Sequence, residues 1–156
     1  MILKHFLAFY FFLSMVCFAG MGDVSTGVDR DITKAEIIQA QKDWASGVVR
    51  IGELKDDPTK LKDFTSDFID RQYAYDYQDG IVIFKPTKAL DSSFRSTKEG
   101  ALAYFIGGSS KFPQDTGFAL QPWTNIKFNN KIFYYHGNIA IVAGDYDFTS
   151  STGETV

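Results

Sequence analysis

The strongest constraint on the fold is a one-sided helix that the sequence predicts from Thr33 to about Glu53. Thr33 and Glu36 have the spacing of a capping box, in which the hydroxyl and the carboxylate satisfy backbone donors that a helix start leaves free. Apolar positions then recur in steps of three and four, which places them on one helix face. The members of this stripe are Ile37, Gln41, Trp44, Val48 and Ile51. Such a face must be covered, and its one polar member, Gln41, is expected to face a cavity.

Two further helices are predicted. The first begins at Pro58 behind an Asp57 cap, because proline suits the first helical position. Its expected buried positions are Leu61, Phe64, Phe68 and Ile69. The other begins at a second capping box, Ser96-x-x-Glu99, and ends at Gly107-Gly108.

The rest of the chain favours strands. A short strand is expected over Ile81–Phe84 after the Asp79-Gly80 turn signal. Further strands are expected over 123–128, 132–135 and 139–149, with turns at Asn129-Asn130 and at His136-Gly137-Asn138. Helices followed by an antiparallel meander indicate an α+β fold, with the helices covering one face of a curved sheet. The cone-shaped fold of nuclear transport factor 2 and ketosteroid isomerase has this order of elements.

The N-terminal segment has the features of a secretory signal peptide. Residues 1–20 contain Lys4, no acid and an apolar run that is shorter than the roughly 20 residues a membrane span needs. We therefore expect cleavage after Ala19, a flexible leader over 21–31, one domain over 32–156, and a secreted or periplasmic protein with no stable membrane anchor.

Composition excludes two ligand classes. The net charge of −3 argues against nucleic acid, which requires a concentrated basic surface. The chain has one Cys and two His, and signal cleavage would leave only His136, whereas zinc sites take three or four such ligands. We expect no zinc and no cofactor, although a cation held by carboxylates stays open. His136, in a predicted turn, is expected to be a surface residue.

Other candidate groups for chemistry are carboxylates and hydroxyls. The pairs Asp67/Asp70 and Asp145/Asp147 have a spacing that is also typical of a solvated face. The hydroxyl candidates are Tyr73, Tyr75, Tyr77, Thr87 and Tyr104. Each of these alone occurs more often in packing than in function.

The C-terminal sequence predicts an incomplete sheet. The strand over 139–149 invites a partner of similar length, yet only Glu154–Val156 follow the turn at 150–153. We expect the natural protein to continue past Val156, or another chain to supply the pairing.

Several separated motifs resemble the iota-class carbonic anhydrases. They are Trp44-Ala-Ser-Gly-Val-Val-Arg-Ile-Gly52, Ile83-Phe-Lys-Pro-Thr-Lys-Ala89, Phe94-Arg95, Ala101-Leu-Ala-Tyr-Phe-Ile-Gly-Gly108 and Gly117-Phe-Ala-Leu-Gln-Pro-Trp123. The resemblance covers the chain from about Thr33 to Val156 and implies a cone-shaped α+β domain, related to the association domain of calcium/calmodulin-dependent kinase II. We expect the protein to be a homodimer. It also implies interconversion of carbon dioxide and bicarbonate without zinc.

The resemblance also implies site residues. Thr87 of the Lys-Pro-Thr motif and Tyr104 of the Ala-Tyr-Phe motif would bind bicarbonate and act in catalysis, since both can donate hydrogen bonds to the charge that develops on its oxygens. Arg95 or Lys85 could attract the anion, although surface solvation is the expected role of each. The family's last strand carries a His-His-Ser-Ser motif that this chain lacks, so a chain complete as given is expected to have little or no activity.

Two other classes of function stay open at this point. Another cone-fold enzyme, an isomerase or cyclase for an apolar substrate, would use a pocket Asp as base and a Tyr as donor. A non-catalytic oligomerisation or binding module would use the sheet as an interface.

Overall fold

The computed structural model describes residues 31–77, 80–86 and 93–156. The predicted signal peptide over 1–20 and all but the last residue of the predicted leader over 21–31 lie outside these ranges, as does Thr87. Within them, no helix combines the length and the apolar character that crossing a membrane requires.

Helices α1 and α2 begin where the sequence predicts. In α1 (Lys34–Glu53) the Thr33 hydroxyl accepts from the Glu36 backbone N–H at 3.3 Å, and the Thr33 N–H donates to the Glu36 carboxylate at 2.9 Å. All five residues of the predicted stripe are buried. In α2 (Pro58–Gln72) the Asp57 carboxylate accepts from the Lys60 N–H at 3.1 Å. Leu61, Phe68 and Ile69 are buried as predicted, and Phe64 is half-buried.

Helix α3 (Lys98–Ile106) begins one residue later than predicted. Its N-cap is Thr97, whose hydroxyl accepts from the Gly100 N–H at 3.1 Å, so the capping box predicted at Ser96 is wrong. The physical reason is that the Glu99 carboxylate instead accepts from Lys111 Nζ at 2.8 Å. The end of the helix is as predicted, because Gly107 adopts the positive φ of +71° that favours glycine.

The sheet is an antiparallel hairpin of β1 (Trp123–His136) and β2 (Ile139–Ser150). The predicted turn after His136 is confirmed, but the turn predicted at Asn129-Asn130 is wrong. There β1 continues through an irregularity in register between Asn130 and Ile132, which is a β-bulge. Asn130 lies opposite Gly144, where a Cβ atom would collide with the Asn129 carbonyl oxygen, so glycine permits the strands to pass closely.

The short C-terminal segment adds to the sheet as the sequence predicts. The Phe148 N–H donates to the Val156 carbonyl at 2.9 Å, and the Val156 N–H donates to the Phe148 carbonyl at 3.0 Å. Residues 154–156 therefore lie antiparallel to the end of β2, beyond a turn at 150–153.

The strand predicted over Ile81–Phe84 is wrong. Residues 81–86 pair with no strand of the described chain, although their side chains alternate: Phe84 and Pro86 are buried, whereas Ile81 and Ile83 are 80% and 68% exposed. A backbone hydrogen bond connects this segment to the residues that precede α3. The Arg95 N–H donates to the Phe84 carbonyl at 2.8 Å. An apolar run with alternation becomes a strand only when a partner supplies the ladder.

The two faces of the sheet differ in character. Ile126, Phe128, Tyr146 and Phe148 face the helices, and α1 packs directly on β1. The opposite face carries charged and amide side chains near the open end of the hairpin and apolar ones near its tip. The tip residues Ile132, Tyr134, Ile139 and Ile141 are all exposed. The predicted α+β architecture, with helices on one face of an antiparallel sheet, is confirmed.

Candidate active site

Tyr104 lies on α3, and its ring forms an aromatic wall together with the rings of Phe84 and Phe118. The ring stacks on Phe118 at a centroid distance of 5.3 Å and meets Phe84 edge-on at 5.2 Å. The side chain is half-buried, which confirms that it lies on the inward side of the helix. Its placement follows from the short helix, whose end is fixed by Gly107.

The Tyr104 hydroxyl is available as a hydrogen-bond donor. Within the described ranges, no protein group hydrogen-bonds to it. Burial raises the pKa of the Tyr104 phenol well above its usual value, the charges of Tyr146 and Asp115 add to the increase, and Arg95 opposes it. The phenol is therefore protonated at neutral pH and can donate to an oxyanion.

Tyr73 and Tyr75 belong to the packing around the aromatic wall, and the hydroxyl of each is already hydrogen-bonded within the protein. The Trp44 indole N–H donates to the Tyr73 hydroxyl at 2.9 Å, and the Tyr75 hydroxyl donates to the Arg95 carbonyl at 2.6 Å. Burial raises the pKa of both phenols. Tyr77, by contrast, is 47% exposed. These contacts favour packing for Tyr73 and Tyr75.

An open cleft adjoins this wall on the helix-facing side of the hairpin. It spans about 250 Å³ including its mouth. The lining residues are Gln41, Phe128, Asn130, Val142, Gly144, Asp145 and Tyr146. The prediction that Gln41 faces a cavity is therefore confirmed. Tyr146 is a residue that sequence reasoning missed, although its position two residues before Phe148 placed it on the same strand face.

Gln41 and Asn130 form a closed pair of amides across this cleft. Gln41 Nε2 donates to Asn130 Oδ1 at 2.9 Å, and Asn130 Nδ2 donates to Gln41 Oε1 at 2.7 Å. The pair joins α1 to β1 at the bulge. Each amide keeps one further N–H that it can offer to a ligand or to water.

Arg95 is not the solvated surface residue that the sequence suggested. It is fully buried, and its guanidinium donates from Nε and Nη2 to the two Asp115 oxygens, both at 2.7 Å. It also lies over the Phe112 ring at 4.5 Å. The interpretation failed because Asp115, twenty residues later, supplies the buried counter-charge. Lys85 is exposed as expected.

Comparison with known proteins decides the family. The model of a family described as metal-independent carbonic anhydrase matches residues 35–156. The chain belongs to this metal-independent carbonic anhydrase family. A relative from Nostoc sp. (strain PCC 7120), described as a metal-independent carbonic anhydrase, is 40% identical over 81% of this chain. The chain spans 62% of the length of that curated relative.

A solved structure is also similar. It is the crystal structure of the iota-carbonic anhydrase from cyanobacterium complexed with bicarbonate. It is 36% identical, covers 85% of this chain and 81% of its own, and superimposes with a TM-score of 0.78. The resemblance inferred from the motifs is therefore confirmed.

The remaining candidate groups of this family member lie apart from the wall. His136 ends β1 and is exposed, as predicted. Asp67 and Asp70 are both exposed on α2, and Asp70 pairs with Lys98 at 2.6 Å. Asp145 is exposed, and the half-buried Asp147 accepts from Asn129 at 2.9 Å.

No zinc ligand set emerges for this family member. Within 31–77, 80–86 and 93–156, no three His, Cys, Asp or Glu side chains come together as metal ligands. The family description, metal-independent, agrees with the expectation that zinc is not used.

Thr87, the other predicted site residue, lies outside the described residues. The described residues on both sides of it are Pro86 and Ser93, and the hydrogen bond from Arg95 to Phe84 connects the two flanking segments at 2.8 Å. Phe84 contacts Tyr104. The chain before Thr87 therefore approaches the wall that contains Tyr104.

Proposed function

We propose that the protein interconverts carbon dioxide and bicarbonate without zinc, at a site that contains Tyr104 and Thr87. Membership of the metal-independent carbonic anhydrase family supports this activity, as does the bicarbonate with which the similar cyanobacterial enzyme was crystallised. The observation that carries the proposal is the Tyr104 phenol, a protonated donor in an aromatic wall, without a protein partner among the described residues.

For the hydration of CO2, the protein has to orient the reactants and donate hydrogen bonds to the developing negative charge. Hydration forms a bond between the water oxygen and the carbon of CO2, and one C=O π pair moves onto its oxygen. The water loses one proton to the buffer, so that H2O and CO2 become bicarbonate and H⁺. Donors aimed at the developing negative oxygens lower the barrier most when they are held rigidly away from bulk water. Stacking on Phe118 holds Tyr104 in this way.

Three finer features belong to the same proposal. The domain closes into the cone-shaped fold, the mature protein is secreted or periplasmic, and it works as a homodimer. The exposed apolar tip formed by Ile132, Tyr134, Ile139 and Ile141 supports the homodimer, because a large exposed apolar patch is typical of an interface. Size-exclusion chromatography with light scattering would measure the dimer.

The activity test is stopped-flow CO2 hydration with a pH indicator and a chelator in the buffer. We expect Tyr104→Phe to lower the catalysed rate about 10- to 100-fold, the value of one hydrogen bond to a charged group. Thr87→Ala should lower it similarly. Tyr135→Phe is the matched control, because Tyr135 is 40% exposed near the tip of the hairpin and should keep the full rate.

The assay is run on this chain and on a version extended by the downstream coding sequence. Full rates in both Tyr104→Phe and Thr87→Ala would contradict the site assignment. No hydration by either version would contradict the activity. Tight binding of an apolar ligand instead would favour the isomerase class, and oligomerisation alone would favour a binding module.

A further inference from the structure

The two rings of the aromatic wall that flank Tyr104 come from segments on opposite sides of α3 in the sequence. Phe84 lies in the extended segment over 81–86, and its ring meets the Tyr104 ring edge-on at 5.2 Å. Phe118 begins the short 3-10 helix Phe118–Leu120 after the loop over 107–117, and its ring stacks on Tyr104 at 5.3 Å. The orientation of the Tyr104 phenol therefore depends on how these two segments are fixed relative to α3.

Arg95 is bound to the first of these segments through its main chain. The Arg95 N–H donates to the Phe84 carbonyl at 2.8 Å, and the Arg95 carbonyl accepts from the Tyr75 hydroxyl at 2.6 Å. These two bonds fix the backbone of Arg95 beside Phe84 without using the guanidinium.

The Arg95 side chain is bound to the second segment and packs on α3 itself. Its Nε and Nη2 donate to the two oxygens of Asp115, both at 2.7 Å, and Asp115 precedes Phe118 by three residues. A Cβ atom added to Gly100 would lie 3.2 Å from Arg95 Cδ, so the stem of the side chain contacts the first turn of α3. Gly100 lies four residues before Tyr104, on the same side of the helix. Arg95 thus connects α3 with the segments that carry both flanking rings.

The burial of this ion pair favours a role in orientation over a role in stability alone. The side chains of Arg95 and Asp115 are 0% and 5% exposed. Removing two charges from water costs much of what their attraction returns, so apolar residues of similar size often give the same stability. Apolar residues cannot impose a direction, whereas a guanidinium holds a carboxylate in one plane through two parallel hydrogen bonds.

On the basis of the proposed function, we infer that Arg95 is a positioning residue, which orients the Tyr104 phenol for hydrogen bonding to the reacting oxygens by fixing Phe84 and Phe118 on either side of its ring. Arg95 acts through Tyr104 and not by contact with the substrate.

The test is the double variant Arg95→Met/Asp115→Leu. It keeps the backbone bond to Phe84, removes the directional link to Asp115 and leaves no buried charge without its partner. We expect the thermal midpoint to stay within a few degrees of wild type, while kcat for hydration falls about 10- to 100-fold and KM changes less, because a small misplacement of a catalytic group costs this much. Glu99→Gln is the matched control, since it breaks an exposed ion pair between α3 and Lys111 of the same loop and should keep the full kcat.

A spectroscopic readout separates this inference from the proposed function. Fluorotyrosine is incorporated in place of Tyr104, and its fluorine NMR resonance reports the position of the ring against Phe118 even in a chain that does not turn over. We expect the resonance to shift or split in Arg95→Met/Asp115→Leu and to stay at the wild-type position in Glu99→Gln.

The two readouts decide the inference together. A wild-type resonance or a wild-type kcat in Arg95→Met/Asp115→Leu overturns it. If this variant does not fold, Arg95→Lys gives the same two readouts, because lysine keeps a charge for Asp115 but loses the paired hydrogen bonds. A wild-type chain without turnover contradicts the proposed function, and the resonance alone then tests whether Arg95 orients Tyr104.

Discussion

At the scale of single residues, Arg95 and Asp115 form an ion pair in the interior, with side chains that are 0% and 5% exposed. Arg95 is 0% exposed, so removing the Asp115 charge takes from a buried guanidinium the carboxylate that accepts two of its hydrogen bonds at 2.7 Å. We expect Asp115→Asn to lower the free energy of unfolding by about 3–5 kcal/mol. Urea denaturation followed by circular dichroism would measure it.

The matched control is an exposed ion pair that lies close to Arg95 and Asp115 in sequence. Lys111 and Glu99 lie 2.8 Å apart, but their side chains are 69% and 56% exposed. Glu99→Gln should therefore cost less than about 1 kcal/mol. Equal losses of unfolding free energy in Asp115→Asn and Glu99→Gln would contradict the expectation that the buried pair contributes more to stability than the exposed one.

Residue roles were predictable only where local signals set them. Thr33 and Asp57 cap helices because their partners lie three residues away. Tyr104 was found through a motif. The burial of Arg95 was not predictable from its neighbours in sequence, since it depends on an acid twenty residues later. The place of Tyr146 in the cleft likewise depends on the pairing of β2 with β1.

At the scale of elements, one amide pair joins α1 to β1. Removing either amide leaves its partner without the hydrogen bonds of 2.9 and 2.7 Å, in a part-buried position. We expect Gln41→Leu and Asn130→Leu each to cost about 1–3 kcal/mol. The double variant should cost less than their sum, with a coupling energy of about 1 kcal/mol from a double-mutant cycle. Strict additivity would mean that the pair does not join the elements energetically.

Elements were predictable to the extent that they are local. The three helices follow from spacing and caps, although the start of α3 moved because Glu99 binds Lys111. The strand expected over Ile81–Phe84 and the turn expected at Asn129-Asn130 both failed, since pairing and bulges depend on a partner distant in sequence. Gly144 is the residue that makes the bulge possible.

At the scale of the whole molecule, buried phenols make the fold sensitive to alkali. Burial raises the pKa of four tyrosines, Tyr73, Tyr75, Tyr104 and Tyr146, above the usual 10.0. Above that pH the unfolded chain releases protons that the folded chain retains, so the free energy of unfolding falls as pH rises. Below it, these groups leave stability unchanged.

Urea titrations at a series of pH values would measure this loss. We expect these tyrosines to leave the free energy of unfolding unchanged up to about pH 10 and to lower it steadily above that pH. In Tyr73→Phe the free energy of unfolding should fall less steeply, because the folded chain retains one proton fewer. A stability that does not change above pH 10 would contradict the burial of these phenols.

The hydrogen bond between the Arg95 N–H and the Phe84 carbonyl uses backbone atoms alone, so it does not depend on which side chains these two positions carry. The exposed Ile83 and Lys85 can therefore vary in a homologous enzyme without disturbing the packing beneath them. Phe84 and Arg95 are both buried, so each can change only together with the residues that pack on it.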